Sequence, residues 1–231
     1  MKINRHGRAK VLTQEEIQLL FNSGLQSDRD RALFGVCLYT ACRIDEACTL
    51  NTADVYDGRM RVRGEIIFRR HNTKGKLAAR AIPVIDELRS LLLQYKPTTR
   101  QGFLFPGRHN RGHINSDSAA RILREACYSL GLEGVSTHSF RRSALTQMSN
   151  AGIPLRVIQE ISGHRNLEEL QKYLEVRPDQ VRGAVSALSM LSHVGDSYVV
   201  KSIFDDVDST PDTETISTQE ASADPRKHQR S

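Results

Sequence analysis

Five polar side chains stand out by type and spacing: Arg43, then His138 and Arg141 in His138-Ser-Phe-Arg141, then His164 directly after Gly163, then Tyr173 nine residues on. Two arginines, two histidines and a tyrosine hold what is needed to break and reseal a phosphodiester. A phosphodiester under attack passes through a five-coordinate state whose non-bridging oxygens concentrate negative charge, and a planar, permanently charged guanidinium can hold two of them at once. Two arginines from separate segments make such a clamp. A tyrosine hydroxyl ionises near a pKa of about 10, so it attacks at neutral pH only if a base takes its proton or cations stabilise its anion. Histidine supplies the base. The leaving 5′-oxygen needs a proton as well, and Lys74 and Lys76 in Asn72-Thr73-Lys74-Gly75-Lys76 are the candidate donors.

Each of these residues also has an ordinary use. Arg43 can pair with Glu46 three residues on, His138 and Arg141 share a helix face for the same geometric reason, and His164 after Gly163 fits a helix C-terminus with a left-handed glycine cap. Tyr173 is one of six tyrosines and could be a half-buried aromatic. The functional reading therefore rests on the whole set, in order.

The elements that must position the set are legible. Thr13-Gln-Glu-Glu16 is a capping box opening a helix through Ile17, Leu19, Leu20 and Phe21, and Ser27 opens a second helix, with Ala32, Leu33, Val36, Cys37 and Tyr39, that delivers Arg43 near its end. Asp57-Gly58 marks a turn, and Met60–Val62, Glu65–Phe68 and Arg80–Val84 read as short strands of a small antiparallel sheet, with Lys74 on a hairpin loop. Helices are expected over 86–95 and 118–130. A further helix starts at Thr137 or Ser139 and carries His138 and Arg141 in its opening turn, ends at Gly152, and is followed by one that begins at Pro154. On one continuous helix a nine-residue step puts His164 and Tyr173 on opposite faces, so a break at 163–166 is required if both are to reach one phosphate. The fold class expected is α+β, mostly helical.

Thr40-Ala-Cys-Arg43-Ile-Asp-Glu46-Ala resembles the first signature of the tyrosine recombinases of the phage-integrase type, in which an acidic residue follows the arginine by three. Thr137-His138-Ser-Phe-Arg141-Arg-Ser-Ala resembles the family's His-x-x-Arg box, and Ile161-Ser-Gly163-His164 through Tyr173 resembles its Gly-His to tyrosine segment. The stretch from Lys74 to Pro83 looks like the β-hairpin that carries the family's lysine, with Lys74 preferred over Lys76. The resemblance covers roughly residues 10 to 190. It implies a tyrosine-recombinase-like catalytic domain that cleaves and rejoins DNA through a 3′-phosphotyrosine, with no metal, ATP or other cofactor. Its implied roles are Tyr173 as nucleophile, Arg43, Arg141 and His164 stabilising the transition state, His138 assisting proton transfer and Lys74 protonating the leaving oxygen. It also implies double-stranded DNA as partner and a homo-oligomer, a tetramer on paired sites, to which the helix after the tyrosine contributes. Where the family often has small hydroxyl residues ahead of the nucleophile, this chain has Glu169-Leu170.

Composition agrees with a polyanionic partner. The chain of 231 residues has 33 Lys/Arg against 27 Asp/Glu; residues 195–231 hold 4 against 8, which leaves 29 against 19, net +10, in residues 1–194. Such a charge favours a phosphate backbone and predicts steep salt dependence of binding. No long apolar run or secretory segment occurs, so neither a membrane span nor export is indicated, and a cytoplasmic, nucleoid-associated protein is expected. Cys37, Cys42, Cys48 and Cys127 lack paired spacing and read as packed, reduced thiols.

The expected organisation is a basic lead over 1–10, a catalytic domain over 11–194, and an acidic, Ser/Thr-rich, disordered tail over 195–231 whose one apolar patch is Tyr198–Phe204. Because the chain reaches the catalytic opening at Leu12-Thr13 almost at once, it is expected to be either a fragment or a single-domain recombinase resembling the invertases that switch fimbrial genes. Two rival functions stand beside recombination: a topoisomerase-like enzyme of the same chemistry, and a non-catalytic DNA-binding regulator. Neither the target site nor the choice among integration, excision, inversion and resolution is readable, because phosphate contacts carry no base code.

Overall fold

The computed structural model describes residues 9–69, 79–97, 100–171 and 178–191. Helix α1 (Gln14–Leu19) is opened by the expected capping box, in which the Glu16 amide donates to Thr13 Oγ1 and the Thr13 amide to Glu16 Oε2. It continues as a π-helical turn over Leu20–Gly24, which carries the helix through Phe21 as expected. The turn lets Gly24 lie against α6 (Ser116–Ser129), where a Cβ would come 2.8 Å from Leu130 Cδ1. Helix α2 (Asp28–Tyr39), capped by Ser27, is buried almost all round and forms the axis of the core. Phe34 stacks on Phe140 of α7 (Thr137–Asn150) at 5.2 Å between ring centroids, and Leu88 and Leu92 of α5 (Asp86–Tyr95) belong to the same core cluster. Each such side chain contributes about 1.5–3 kcal/mol by leaving water.

After α2 the chain does not carry Arg43 on the helix end. Thr40 Oγ1 donates to the Val36 carbonyl, Ala41 takes a left-handed conformation at φ 50°, and Arg43 becomes the residue that caps the short α3 (Ile44–Cys48). Helix α4 (Thr52–Val55) follows. The sheet has two antiparallel strands, β1 (Glu65–Phe68) and β2 (Arg80–Pro83), with Ile66 opposite Ile82 and Phe68 opposite Arg80. Met60–Val62 is not the third strand its composition suggests. Asp57 organises it as a turn, accepting from the amides of Arg59 and Arg61, with Met60 at φ 59° and only an isolated bridge between Tyr56 and Val62.

Beyond the sheet, α6 begins two residues earlier than its periodicity suggests because Asn115 accepts from the Ser118 amide. Helix α7 ends in a turn with Gly152 at φ 74°. Helices α8 (Leu155–Ser162) and α9 (Leu167–Gln171) are separated at Gly163, so the required break is present. A second, small apolar cluster of Ala41, Leu145, Ile158 and Leu170 ties α7, α8 and α9 to the Ala41 turn. The chain divides into two units, residues 1–181 and 182–231. Helix α10 (Pro178–Ser186) and a 3-10 turn over Ala187–Leu191 complete the described chain. Their apolar stripe is open to solvent, with Val185 62 % and Leu188 60 % exposed.

Candidate active site

Arg141 is the largest fully buried side chain among the described residues, at 1 % exposure. An arginine so placed must be met by acceptors, since an unpaired buried charge costs several kcal/mol, about 3–5 when a partner is removed. The fold supplies them from three segments. Nη1 donates to the carbonyls of Ala41 and, at 2.9 Å, Ser162, while Nη2 lies 3.0 Å from His164 Nε2 and 3.4 Å from Nδ1. The left-handed Ala41 has a physical reason here, because that conformation turns its carbonyl into the guanidinium.

His164 is held as closely. Gly163 ends α8 in the left-handed conformation at φ 65°, ψ 39° and turns the chain so that the imidazole folds back, 5 % exposed. Ser162 Oγ lies 2.7 Å from Nδ1, Gln159 Nε2 donates to the His164 carbonyl at 3.1 Å, and Ser162 Oγ is 3.3 Å from the Gln159 carbonyl. The network is satisfied when Arg141 donates to Nε2 and the Nδ1 proton goes to Ser162 Oγ, an assignment made from the hydrogen bonds. Burial, then the charges of Arg141, Arg43 and Arg80, push the imidazole pKa down to about 3, so His164 is neutral at any ordinary pH. Burial is the larger cause, and the three nearby guanidiniums add to it.

Among the described residues, a buried carboxylate faces these cations: Glu46, 1 % exposed. Its Oε2 accepts from the Arg43 amide at 2.7 Å, and its two oxygens take a bidentate pair from Arg80, at 2.9 Å from Nη1 and 3.0 Å from Nη2. Burial alone would raise its pKa; the Arg80 hydrogen bonds and charge, the Arg43 amide and Arg141 outweigh that and hold it below the ordinary carboxylate range. Arg43 and Glu46 thus do meet, through the backbone, whereas the ion pair of Glu46 goes to β2.

His138 is the second residue of α7, exposed, one turn ahead of Arg141. Of the six residues expected at the site, Arg43, Arg141 and His164 are brought together; Lys74 and Tyr173, with the alternative Lys76, lie outside the described residues. Sequence reasoning missed Arg80. The signal was available: in Arg80-Ala-Ile82 the arginine is in phase with a core-facing isoleucine. A charge on the inward face of a strand needs a buried partner.

The description "Phage integrase family" applies to residues 10–180 of this chain. The tyrosine recombinase XerA of Pyrococcus furiosus is 28 % identical over 189 residues, covering 80 % of this chain and 64 % of the relative. The tyrosine recombinase XerC of Halalkalibacterium halodurans is 33 % identical over 181 residues, covering 74 % and 59 % respectively. The chain thus spans about three fifths of the length of these curated relatives. Among solved structures, a transposon integrase in complex with transposon right end DNA superposes with a TM-score of 0.63 at 18 % identity, covering 81 % of this chain and 68 % of that one, a likeness of fold. No helix among the described residues is long and apolar enough to cross a membrane.

Proposed function

This chain belongs to the phage integrase family, and from that premise we propose that it is a site-specific DNA recombinase acting through a covalent tyrosine intermediate. The observation that carries the reading is the charge imbalance at His164, where three guanidiniums face one carboxylate, itself engaged by Arg80. That imbalance suits an anion with two non-bridging oxygens between separate cations. Tyr173 attacks the scissile phosphorus, the bond to the 5′-oxygen breaks, and Lys74 gives that oxygen a proton, leaving a 3′-phosphotyrosine and a 5′-hydroxyl. Arg43 and Arg141 hold the non-bridging oxygens, neutral His164 supports the clamp by accepting from Arg141 Nη2, and exposed His138 takes the tyrosine proton. The 5′-hydroxyl of a partner strand then reverses the step. One phosphoester is exchanged for another at each stage, so no ATP is consumed.

Double-stranded DNA is the proposed partner, supported by the basic balance of residues 1–194. The exposed stripe of Val181, Val185 and Leu188 supports assembly of several copies, a tetramer on two paired sites. The test is covalent capture: a library of nicked duplexes is incubated with the protein, and adducts that survive detergent are recovered and sequenced. Adducts joined at the 3′ end, absent in Tyr173→Phe, are expected. Adducts that persist in Tyr173→Phe would sink the assignment of the nucleophile. Salt-sensitive binding with no adduct at all would favour the non-catalytic regulator, and relaxation of supercoiled DNA lacking paired sites would favour a topoisomerase-like enzyme.

A further inference from the structure

The sheet enters the site through one side chain. Arg80 sits on the inward face of β2, opposite Phe68, and its guanidinium lies over the Phe68 ring with Cζ 4.5 Å from the centroid. On another side is Gly163, where a Cβ would fall 2.9 Å from Arg80 Nη1 and 3.3 Å from Cζ. The guanidinium thus occupies the space a side chain at 163 would need, and Gly163 is glycine for two reasons, its left-handed φ of 65° and this close approach. Both Nη atoms are spent on Glu46, and Nε is buried with no hydrogen-bond partner among the described residues. An arrangement chosen for stability alone would not leave that donor unpaired, at a cost of about 1–3 kcal/mol.

We infer that Arg80 is a positioning residue for strand cleavage: locked by Glu46 and slotted between Phe68 and Gly163, its guanidinium sets the distance between the Arg43 segment and the Gly163–His164 turn. The inference rests on the cleavage reading above, since only a reacting phosphate makes that distance matter. The chain of contacts is direct. Glu46 accepts from the Arg43 amide at 2.7 Å and from Arg80, and Arg80 bears on the glycine next to His164. Lysine at 80 keeps the charge and loses the planar two-pronged grip, so a defect in Arg80→Lys reports geometry. A misplacement of about 1 Å at reacting groups can cost roughly 100-fold.

The test compares wild type, Arg80→Lys, Glu46→Gln and Asp54→Asn on a nicked duplex recovered by covalent capture and on the same duplex with a methylphosphonate at the scissile position. Asp54 is the control. It is fully buried, and its side chain pairs with Arg69 and accepts from the Asn51 amide, sharing no hydrogen bond or ion pair with Arg80, Glu46 or His164 among the described residues, so its loss disturbs the fold without breaking the contacts of the site. The methylphosphonate lacks the charge that the arginine clamp neutralises and is less sensitive to its alignment. For Arg80→Lys and Glu46→Gln the expected result is a loss of cleavage rate on the order of 100-fold on the phosphodiester and below about 10-fold on the methylphosphonate. DNA affinity stays within about threefold, and Asp54→Asn loses equally on both substrates. Equal losses for Arg80→Lys on the two substrates, no loss, or a loss matched by affinity overturns the inference. A readout independent of activity is the imidazole resonance of His164. It should shift in Arg80→Lys and stay in place in Asp54→Asn; an unmoved resonance also overturns the inference. If wild type cleaves no DNA, the proposed function fails, and the resonance alone decides whether Arg80 sets the His164 turn.

Discussion

The α7–α8 region and the α10 region invert each other. In the first, a charged arginine is 1 % exposed; in the second, Met190 and Leu191 are 89 % and 79 % exposed. Proteins rarely do either without cause. The buried charge is matched by acceptors from its own fold, the Ala41 and Ser162 carbonyls and the field of Glu46, so the clamp is built before any substrate arrives. Preorganisation of this kind is where most electrostatic catalysis comes from. The exposed stripe shows the opposite economy, with surface left to be covered by something other than its own helix. The difference teaches that the fold satisfies its buried charge from within and leaves an apolar stripe at the surface, where the proposed assembly finds its support.

The sharpest way to break that comparison is Arg141→Ala. It strands two carbonyls and His164 and opens a large void, so unfolding free energy in urea should fall by roughly 3 kcal/mol, with covalent capture lost. Unchanged stability would show that the interior charge is not matched as described. Next in size is the pH dependence carried by His164. Its folded pKa, about 3, lies below its unfolded value near 6.5, so the unfolded chain binds the extra proton and stability declines as pH falls from about 6.5 toward 3. The slope reaches at most about 1.4 kcal/mol per pH unit. Between about pH 5 and 6.5, above the range where Glu46 titrates, denaturation of wild type should be steeper in pH than that of His164→Gln, and parallel curves would contradict the buried, cation-facing imidazole.

Smaller effects sharpen the other side. Val185→Asp with Leu188→Asp should change stability by less than about 0.5 kcal/mol, because both side chains are already in water. A drop of 2 kcal/mol or more, at the usual scale of about that size for core changes, would place the stripe in the core. Their expected effect is on self-association, read by sedimentation on DNA. The smallest change belongs to Ala41→Gly. Relief of the left-handed strain, about 1 kcal/mol, is offset by the lost burial of one methyl and by glycine's extra freedom in the unfolded chain, so thermal unfolding should move little.

The site was legible where roles are tied to local spacing. His138 and Arg141 lie one turn apart on α7, and Gly163 breaks the chain where the step to Tyr173 demanded it. It was not legible where a role depends on two distant segments meeting. Nothing local in Glu46 says that its partner is Arg80, 34 residues on; the i,i+3 rule pointed to Arg43, which contributes its amide instead of its side chain. Helix boundaries slipped for the same kind of reason. Arg43 was expected near the end of α2; the helix stops at Tyr39, and Arg43 follows a left-handed Ala41 whose carbonyl accepts from Arg141, 100 residues away. The Met60–Val62 strand failed because Asp57 offers the backbone a local alternative that alternation of side chains does not reveal.

Gly163, Phe68, Arg80 and Glu46 interlock so that each fixes what the others can be. A side chain at 163 collides with the guanidinium, a shorter residue at 80 strands the carboxylate, and a neutral residue at 46 leaves the guanidinium without its counter-charge. In a deep mutational scan these four positions should therefore show strong epistasis: single changes fail while certain pairs survive, Arg80→Met tolerating Glu46→Gln better than either wild-type partner tolerates the other's loss. The turn that carries His164 is thus tied by contact, and not by sequence neighbourhood, to a carboxylate on α3.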